Sequence, residues 1–259
     1  MGTALITGAS SGLGAEFAWQ LATDRHDLVL VARRADRLES LAEAIRNVTG
    51  VQVEVLVRDL ADRAQIDDVV GRIGATERPV GLLVNNAGFG MGRRFLRSTI
   101  EREEHALDVM VRAVLVLTHA AARSMSARGR GAILNVSSMA QGTAMGSYAA
   151  HKAWVRAFTE SLSSELAGTG VTATVSLPGF VRTEFHEAAG MKTDAWPGIA
   201  WLSAEHVVTE SLAAVRRRQV IVVPSLRYKA AAIALGVAPR ALVRVITGAR
   251  SHSRSHSGA

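Results

Sequence analysis

TGASSGLG, from Thr7 to Gly14, is the segment of this chain that is most informative about its fold. It joins a short apolar run to a longer amphipathic one. Glycine allows a strand to turn sharply into a helix, because it tolerates backbone conformations that other residues avoid. The missing side chains also let a phosphate approach the backbone, where the free N–H groups at the start of the helix attract it. An ordinary glycine-rich turn is the alternative, but the strand before it and the helix after it favour a dinucleotide site with Gly8, Gly12 and Gly14.

Short apolar runs and amphipathic stretches alternate beyond this turn. The pattern predicts strands at 3–7, 27–32, 51–57, 81–85, 131–136, 171–177 and 220–223, and helices at 13–23, 37–47, 65–73, 101–128 and 147–167. Apolar strands separated by helices indicate a parallel sheet that is covered on both sides. We therefore predict an α/β protein. It is a single-domain Rossmann fold over residues 1–224, with a doubly wound parallel sheet of about seven strands and helices on both faces.

The composition of the 259 residues is that of a globular protein, with 48% apolar and 20% charged residues. The absence of cysteine excludes disulfides, thiolate metal sites and cysteine nucleophiles, and we expect no metal. No basic segment precedes an apolar stretch at the start, and no uninterrupted apolar run has the length of a membrane span. We therefore expect a cytoplasmic protein without a signal peptide.

Positive charge is concentrated at the C-terminal end of the chain. The net charge is +7, yet nine basic residues and no acidic residue follow Glu210. The preceding part is close to neutral, which argues against nucleic acid as a partner of the fold. Residues 225–250 form a basic amphipathic segment, and 251–259 are predicted to be a disordered tail. The segment could contact an anionic membrane weakly, or it could pack on the body or on another subunit. We expect it to be dispensable for cofactor binding.

Two arginines follow the second predicted strand. An acidic residue near this point binds the ribose 2′-hydroxyl of NAD, whereas an arginine accommodates a 2′-phosphate. Arg33 therefore indicates NADP(H), with NAD(H) the less favoured cofactor. The alternative is that Arg33 and Arg34 are a solvated pair at the start of a helix.

Tyr148 and Lys152 are four residues apart in a predicted helix, so they share one face. The phenol of tyrosine has an ordinary pKa of about 10, which an adjacent ammonium is expected to lower. Such a pair can exchange a proton with a substrate oxygen. Further polar or small residues follow the other predicted strands: Asp59-Leu60, Asn85 to Gly88, Ser137-Ser138 and Pro178-Gly179.

With these motifs together, residues 1–225 resemble the short-chain dehydrogenase/reductase family. The resemblance implies an NADP(H)-dependent oxidoreductase that interconverts a carbonyl and an alcohol. It implies Ser138, Tyr148 and Lys152 as catalytic residues, with Ser138 orienting the substrate oxygen and Lys152 also holding the nicotinamide ribose. Asn85 would support the sheet. The predicted cofactor-binding residues are Gly8, Ser10, Ser11, Gly12, Leu13, Gly14, Arg33, Asp59, Leu60, Asn86, Ala87, Gly88, Tyr148, Lys152, Pro178, Gly179, Val181 and Thr183.

Two departures from the family pattern stand out. Ser138 and Tyr148 are ten positions apart, a few fewer than is common. Met110 occupies the position where the family carries an asparagine, so a main-chain carbonyl is kept while the amide is lost. A weakened proton relay would follow, and the alternative function is therefore an NADP(H)-binding regulatory protein with weak or no turnover. His151 resembles a general base by position, but the family has none there, and we expect it to flank the site or pack.

Substrate choice is assigned to the segment after Thr183. The chain carries an apolar set there and nearby: Met145, Phe180, Phe185, His186, Met191, Trp196 and Trp201. These residues indicate a small lipophilic substrate, although the aromatic side chains could equally pack a lid onto the body. The resemblance implies a homodimer or homotetramer. A third hypothesis, resting on the basic C-terminal end alone, is a membrane-surface scaffold.

Overall fold

The computed structural model describes residues 2–92, 94–184 and 198–248, and its elements follow the predicted alternation. The strands are β1 (Thr3–Thr7), β2 (Asp27–Ala32), β3 (Val53–Val57), β4 (Val80–Asn85), β5 (Gly131–Val136), β6 (Val171–Ser176), β7 (Phe180–Val181), β8 (Trp201–Leu202) and β9 (Ile221–Val222). The helices are α1 (Gly12–Thr23), α2 (Ala35–Thr49), α3 (Arg63–Gly74), α4 (Ile100–Leu107), α5 (Ala113–Ala127), α6 (Gly146–Glu165), α7 (Ala204–Arg216), α8 (Leu226–Val237) and α9 (Arg240–Thr247). The third strand begins at Val53 rather than at residue 51.

Seven parallel strands form the main sheet in the order β3-β2-β1-β4-β5-β6-β9. The chain runs outward from β1 to β3 and then returns to the other side of β1 with β4. This reversal leaves a crevice between the carboxyl ends of β1 and β4, which is where ligands bind in sheets of this kind. The predicted doubly wound Rossmann fold is confirmed. Strands β7 and β8 form a separate parallel pair.

The sheet is buried on both faces because successive side chains of a strand point to opposite sides. In β1, Ala4 and Ile6 belong to the core cluster that includes residues of α1, α2 and α7. Leu5 belongs to the cluster on the other face, with residues of α3 and α5. Strands covered on both faces must be apolar throughout, which explains the continuous apolar runs in the sequence.

The long helix that was predicted over 101–128 is interrupted. A π-helical turn at Asp108–Arg112 separates α4 from α5. By length and composition alone, the stretch Ile100–Ala127 would be long and apolar enough to cross a membrane. However, Leu117 and Ala121 are fully buried against the sheet, as expected of a core helix.

The C-terminal helices pack one face onto the body. A side-chain carbon added at Gly142 would lie 3.5 Å from Cδ1 of Leu235 in α8, so this leucine packs against Gly142. Thr247 of α9 accepts a hydrogen bond of 2.9 Å from the N–H of Ala144, and Arg240 donates one of 3.1 Å to the carbonyl of Gly142. The helices therefore cover the loop after β5. Of the three possibilities for this segment, which are contact with a membrane, with the body or with another subunit, the inner face of the two helices shows packing on the body.

Candidate functional site

The glycine turn between β1 and α1 has the backbone shape that the sequence predicts. Gly8 and Gly12 both have positive φ, at 67° and 55°. A side-chain carbon on Gly8 would lie 2.8 Å from Cα of Ala87, and one on Gly14 would overlap the carbonyl oxygen of Gly8. Non-glycine residues would therefore close the cradle. Leu13 is the second residue of α1 and is half-buried.

Residues after β4 are tied to this turn. The backbone N–H groups of Asn86 and Ala87 donate to the hydroxyl of Thr7, at 3.0 and 3.1 Å. The side-chain amide of Asn86 donates to the carbonyl of Thr7 at 3.1 Å. Gly8 and Gly88 thus stand on the two sides of the crevice. The structure brings the predicted groups from β1 and β4 together.

The two arginines after β2 have different partners. The guanidinium of Arg34 donates to the hydroxyls of Ser10, at 3.0 Å, and Ser11, at 2.8 Å. Arg33 instead lies 3.8 Å from a carboxylate oxygen of Asp59, and both side chains remain accessible. Sequence reasoning selected Arg33 and not Arg34. The sequence signal for Arg34 was its position directly after Arg33 at the end of the second strand.

Asp59 and Leu60 shape the edge of the same crevice. Asp59 accepts a hydrogen bond of 2.9 Å from the N–H of Ala61, which folds the turn after β3. Leu60 is buried in the core beside α3. Near the arginines, Glu184 lies 2.7 Å from Arg37, and this contact lowers the pKa of the Glu184 carboxyl.

Ser138, Tyr148 and Lys152 converge at the carboxyl end of β5. The hydroxyl groups of Ser138 and Tyr148 are hydrogen-bonded to each other. The ammonium of Lys152 lies 5.9 Å from the ring centre of Tyr148 and donates to the carbonyl of Val136 at 2.9 Å. The ten-residue spacing closes because the chain after Ser138 forms a tight 3-10 turn at Met139–Gly142.

The pKa values of this pair differ from the expectation. Burial raises the pKa of Tyr148 to about 12, although its hydrogen bond with Ser138 acts in the opposite direction. Burial also lowers the pKa of Lys152 to about 8. The expected lowering of the Tyr148 pKa by the ammonium is therefore wrong for this site, because removal from water disfavours the charged form of both groups.

Buried polar bonds hold α6 against the sheet. The hydroxyl of Ser137 donates to the carbonyl of Lys152 at 2.6 Å. Asn85 donates to Asn135 at 2.9 Å, and Asn135 donates to Thr159 at the same distance. These side chains link β4, β5 and α6 through the core. A buried, fully bonded network of this kind fixes the position of the helix that carries Tyr148.

Met110 lies in the π-helical turn and is fully buried. A side-chain carbon added at Gly88 would approach both the sulfur of Met110, at 3.5 Å, and the ammonium of Lys152, at 3.6 Å. Met110 also packs in the apolar cluster that contains Tyr148. The side chain of Met110 therefore lines the site and does not lie at a distance from it.

The segment after β6 closes the other side of the site. Pro178 accepts a hydrogen bond of 2.9 Å from Met139. Val181 is buried, and Thr183 lies within 3.2 Å of a side-chain carbon added at Gly12. The structure thus brings Pro178, Val181 and Thr183 to the predicted crevice.

Tyr228 is a residue that sequence reasoning missed. Its ring covers Gly179 so closely that any side chain there would overlap it. Its hydroxyl accepts from the N–H of Phe180 at 3.1 Å and donates to the carbonyl of Ala200 at 2.8 Å. In the sequence it is only a tyrosine between Arg227 and Lys229, with no motif around it. The segment 225–250, which was expected to be dispensable for cofactor binding, therefore supplies a wall of the site.

The predicted apolar wall is described in part. The rings of Phe180 and Trp201 are 5.6 Å apart, and Met145 is half-buried in the loop before α6. The remaining members of the set lie outside the described residues: Phe185, His186, Met191 and Trp196. Within the described ranges, no group of three His, Asp or Glu residues could hold a metal ion.

Comparison with known proteins gives consistent matches. The family model for short chain dehydrogenases matches residues 2–194. Sulfoacetaldehyde reductase 2 of Chromohalobacter salexigens is 36% identical over 186 residues, which cover 70% of this chain and 73% of that protein. A short-chain dehydrogenase from Sphingobium yanoikuyae, solved in complex with NADPH, is 35% identical with a TM-score of 0.84 and covers 98% of this chain and 96% of its own. An alcohol dehydrogenase specific for bulky-bulky ketones, from Comamonas testosteroni, is 28% identical with a TM-score of 0.79 and covers 93% and 96%.

Proposed function

The chain belongs to the short-chain dehydrogenase family and is an oxidoreductase acting on alcohol and carbonyl groups, and from this premise we propose that it uses NADP(H) with Ser138, Tyr148 and Lys152 as its catalytic residues. The observation that carries the proposal is the convergence of these three side chains beside the glycine cradle. The cradle has no room for side chains at Gly8 and Gly14, as close approach of a pyrophosphate requires.

In the reductive direction, Tyr148 donates a proton to the carbonyl oxygen of the substrate. Because its pKa is about 12, its hydroxyl is protonated at neutral pH and is ready to act as an acid. Ser138, hydrogen-bonded to Tyr148, orients the same oxygen. Bound NADPH supplies the hydride that completes the alcohol. Lys152 compensates the charge that Tyr148 gains, and in alcohol oxidation the proton returns to Tyr148.

The Tyr148→Phe variant tests this assignment. The variant keeps the ring and removes the hydroxyl, so we expect turnover to fall by about 10²–10⁴-fold while NADPH binding is retained. NADPH oxidation over a panel of ketones and aldehydes measures the first quantity, and fluorescence titration measures the second. Turnover equal to that of the wild type would mean that the proton comes from another group.

The alternative function is an NADP(H)-binding regulator with little turnover. Met110 favours it. An apolar side chain lines the site beside Lys152, at the position where an asparagine amide would take part in a proton relay. The complete Ser138, Tyr148 and Lys152 set favours an enzyme, since a pure binder needs no proton donor. Tight NADPH binding with no turnover across the panel would support the regulator.

We further propose a preference for NADP(H) over NAD(H) through two arginines. Arg33 is accessible, and Arg34 is anchored on Ser10 and Ser11 at the turn itself. Guanidinium groups bind phosphate through charge-assisted hydrogen bonds. Dissociation constants for NADPH and NADH should show NADPH binding weakened in Arg33→Ala and Arg34→Ala, with NADH little affected. Arg63→Ala, an exposed arginine of α3, is the matched control, and equal wild-type affinities for the two cofactors would contradict the preference.

The substrate that we propose is apolar and bulky. The rings of Phe180 and Trp201 are 5.6 Å apart and tilted by 47°, and Met145 precedes the first residue of α6. A ketone series of increasing apolar bulk should show kcat/KM rising with size in the wild type. Trp201→Ala should flatten that rise, and an unchanged series would show that the aromatic pair only packs the lid.

The outer face of the C-terminal helices is proposed to contact anionic membranes. Leu226, Ile233 and Val237 of α8 form one exposed stripe at helical spacing, on the side opposite Tyr228 and Leu235. In α9, Leu242, Val245 and Ile246 are exposed, and Arg240 and Arg244 flank them. Apolar residues bordered by cations are typical of interfacial helices.

Val245→Asp tests the membrane proposal against a closely matched control. Val245 and Val48 are both 74% exposed, but Val48 lies on α2. Only Val245→Asp should abolish flotation with anionic liposomes at low salt. A change in solution mass in this variant would identify a second copy as the occupant of the face, and mass measurement on the wild type also tests the proposed homodimer or homotetramer.

A further inference from the structure

A carboxylate from the segment after β7 contacts the arginines that follow β2. One oxygen of Glu184 lies 2.7 Å from the guanidinium of Arg37, in the first turn of α2, and 3.7 Å from that of Arg34. Glu184 and Arg37 are 147 positions apart in the chain. Glu184 takes no part in the chemistry proposed above, so its place beside two cations requires its own explanation.

One of these arginines also contacts the glycine turn. The guanidinium of Arg34 donates to the hydroxyls of Ser10 and Ser11 in that turn. Thr183, the residue before the carboxylate, lies 3.2 Å from a side-chain carbon added at Gly12. The carboxylate therefore shares the guanidinium of Arg34 with the turn that is proposed to hold the cofactor.

The three charged side chains are open to solvent and to a ligand. Their exposed fractions are 43% for Arg34, 44% for Arg37 and 55% for Glu184. The hydrogen bond from Arg37 lowers the pKa of the Glu184 carboxyl, so the group is ionised at neutral pH. Ion pairs between exposed side chains are weak, and a phosphate carries more charge and more acceptor oxygens than a carboxylate. A phosphate can therefore replace the carboxylate at these arginines.

A second carboxylate near the arginines is held differently. Asp59 lies 3.8 Å from Arg33, but it also accepts a hydrogen bond from the N–H of Ala61 in its own turn. Glu184 instead belongs to a segment that meets the arginines only in the folded chain. It is also the carboxylate that contacts the arginine bound to the glycine turn.

We propose that Glu184 is a specificity-determining residue for the cofactor, because its carboxylate competes with the 2′-phosphate of NADP(H) for Arg34 and Arg37. This inference rests on the proposed preference for NADP(H). Release of the carboxylate offsets part of the free energy that the phosphate gains at the arginines, whereas NADH, with a hydroxyl there, requires no release. An acid after the second strand favours NAD in related folds, and here the acid comes from a distant segment. Glu184 thus limits the preference for NADPH.

Binding of two nucleotide fragments to the full-length protein, measured by isothermal titration calorimetry, tests the competition without turnover. Adenosine 2′,5′-bisphosphate carries the 2′-phosphate, and adenosine 5′-monophosphate lacks only that group. Glu184→Gln should bind the bisphosphate about two- to fivefold more tightly than the wild type does, and the monophosphate with unchanged affinity. An unchanged or weakened affinity for the bisphosphate, or an equal gain for both fragments, would overturn the proposal.

Two further variants serve as controls. Asp24→Asn removes an equally accessible carboxylate that pairs with Arg216 at 3.1 Å, beyond the C-terminal end of α1, and should leave both affinities in place. Glu184→Ala removes the charge without adding an amide and should tighten bisphosphate binding as Glu184→Gln does. If only the glutamine variant gains affinity, the gain comes from its amide and the proposal is wrong. If the glutamine variant does not fold, the alanine variant decides.

The Arg37→Gln background separates a direct contact from the general effect of a negative charge. Glu184→Gln should give a smaller gain in bisphosphate affinity there, because its closest contact is already absent. An equal gain in both backgrounds would overturn the competition for Arg37. Equal wild-type affinities for the two fragments would refute the proposed NADP(H) preference, whereas a wild-type preference that Glu184→Gln leaves unchanged would refute this inference alone.

Discussion

Lys152→Met should change how the stability of the protein depends on pH. Lys152 is 5% exposed, and burial lowers its pKa from the ordinary 10.5 to about 8. Between these values the unfolded chain keeps the proton and the folded chain loses it. The free energy of unfolding of the wild type should therefore rise as the pH increases from 8 to 10, by roughly 1.4 kcal/mol per pH unit from this group alone.

The magnitude of the effect of Lys152→Met follows from two opposing contributions. At pH 7, the methionine avoids a burial cost for the ammonium of roughly 3 kcal/mol. It also loses the hydrogen bond to the carbonyl of Val136, which contributes about 1.5–3 kcal/mol for a charged donor. The variant should thus be about as stable as the wild type at pH 7, although inactive. By pH 10 it should be less stable by roughly 3 kcal/mol, because the wild type has shed the buried charge.

Urea unfolding of the cofactor-free protein at pH 7, 8, 9 and 10 measures this difference. Lys229→Met, at an exposed position of α8, serves as the control and should run parallel to the wild type. Parallel curves for Lys152→Met and the wild type over the whole range would refute the reasoning, since they would show that Lys152 does not lose its proton near pH 8 in the folded protein.

Three further substitutions test other parts of the site. Gly14→Ala should abolish NADPH binding or prevent folding, because the added carbon would overlap the carbonyl of Gly8; binding with unchanged affinity would contradict the cradle geometry. Met110→Asn should preserve or raise turnover if the methionine is a tolerated gap in the relay, and a tenfold fall with folding intact would mean that the side chain is a packing or substrate contact. Tyr228→Phe should lower the free energy of unfolding by about 1–3 kcal/mol, because two backbone groups beside Gly179 lose their partner, and urea unfolding that matches the wild type would show that water replaces the hydroxyl.

Much of the fold and the outline of the site could be predicted because the controlling interactions are local. Alternating apolar and amphipathic runs determine strands and helices within a few residues. The glycines at positions 8, 12 and 14 indicate a sharp turn of the backbone from a strand into a helix. The four-residue spacing of Tyr148 and Lys152 indicates that they share one face of a helix. Parallel strands then place their carboxyl ends at one edge, so motifs that follow different strands meet there without further information.

The class of fold, the glycine turn after β1 and the shared helix face of Tyr148 and Lys152 could be predicted from the sequence, because periodicity and spacing along single elements specify them. Only the tertiary structure decided which groups are removed from water and which distant residues meet. The ammonium of Lys152 was expected to lower the pKa of Tyr148, yet burial raises it. Tyr228 closes over Gly179 from a helix 49 positions away in the chain. Desolvation and contacts between distant segments depend on how whole elements pack, and no local pattern of residues records that packing.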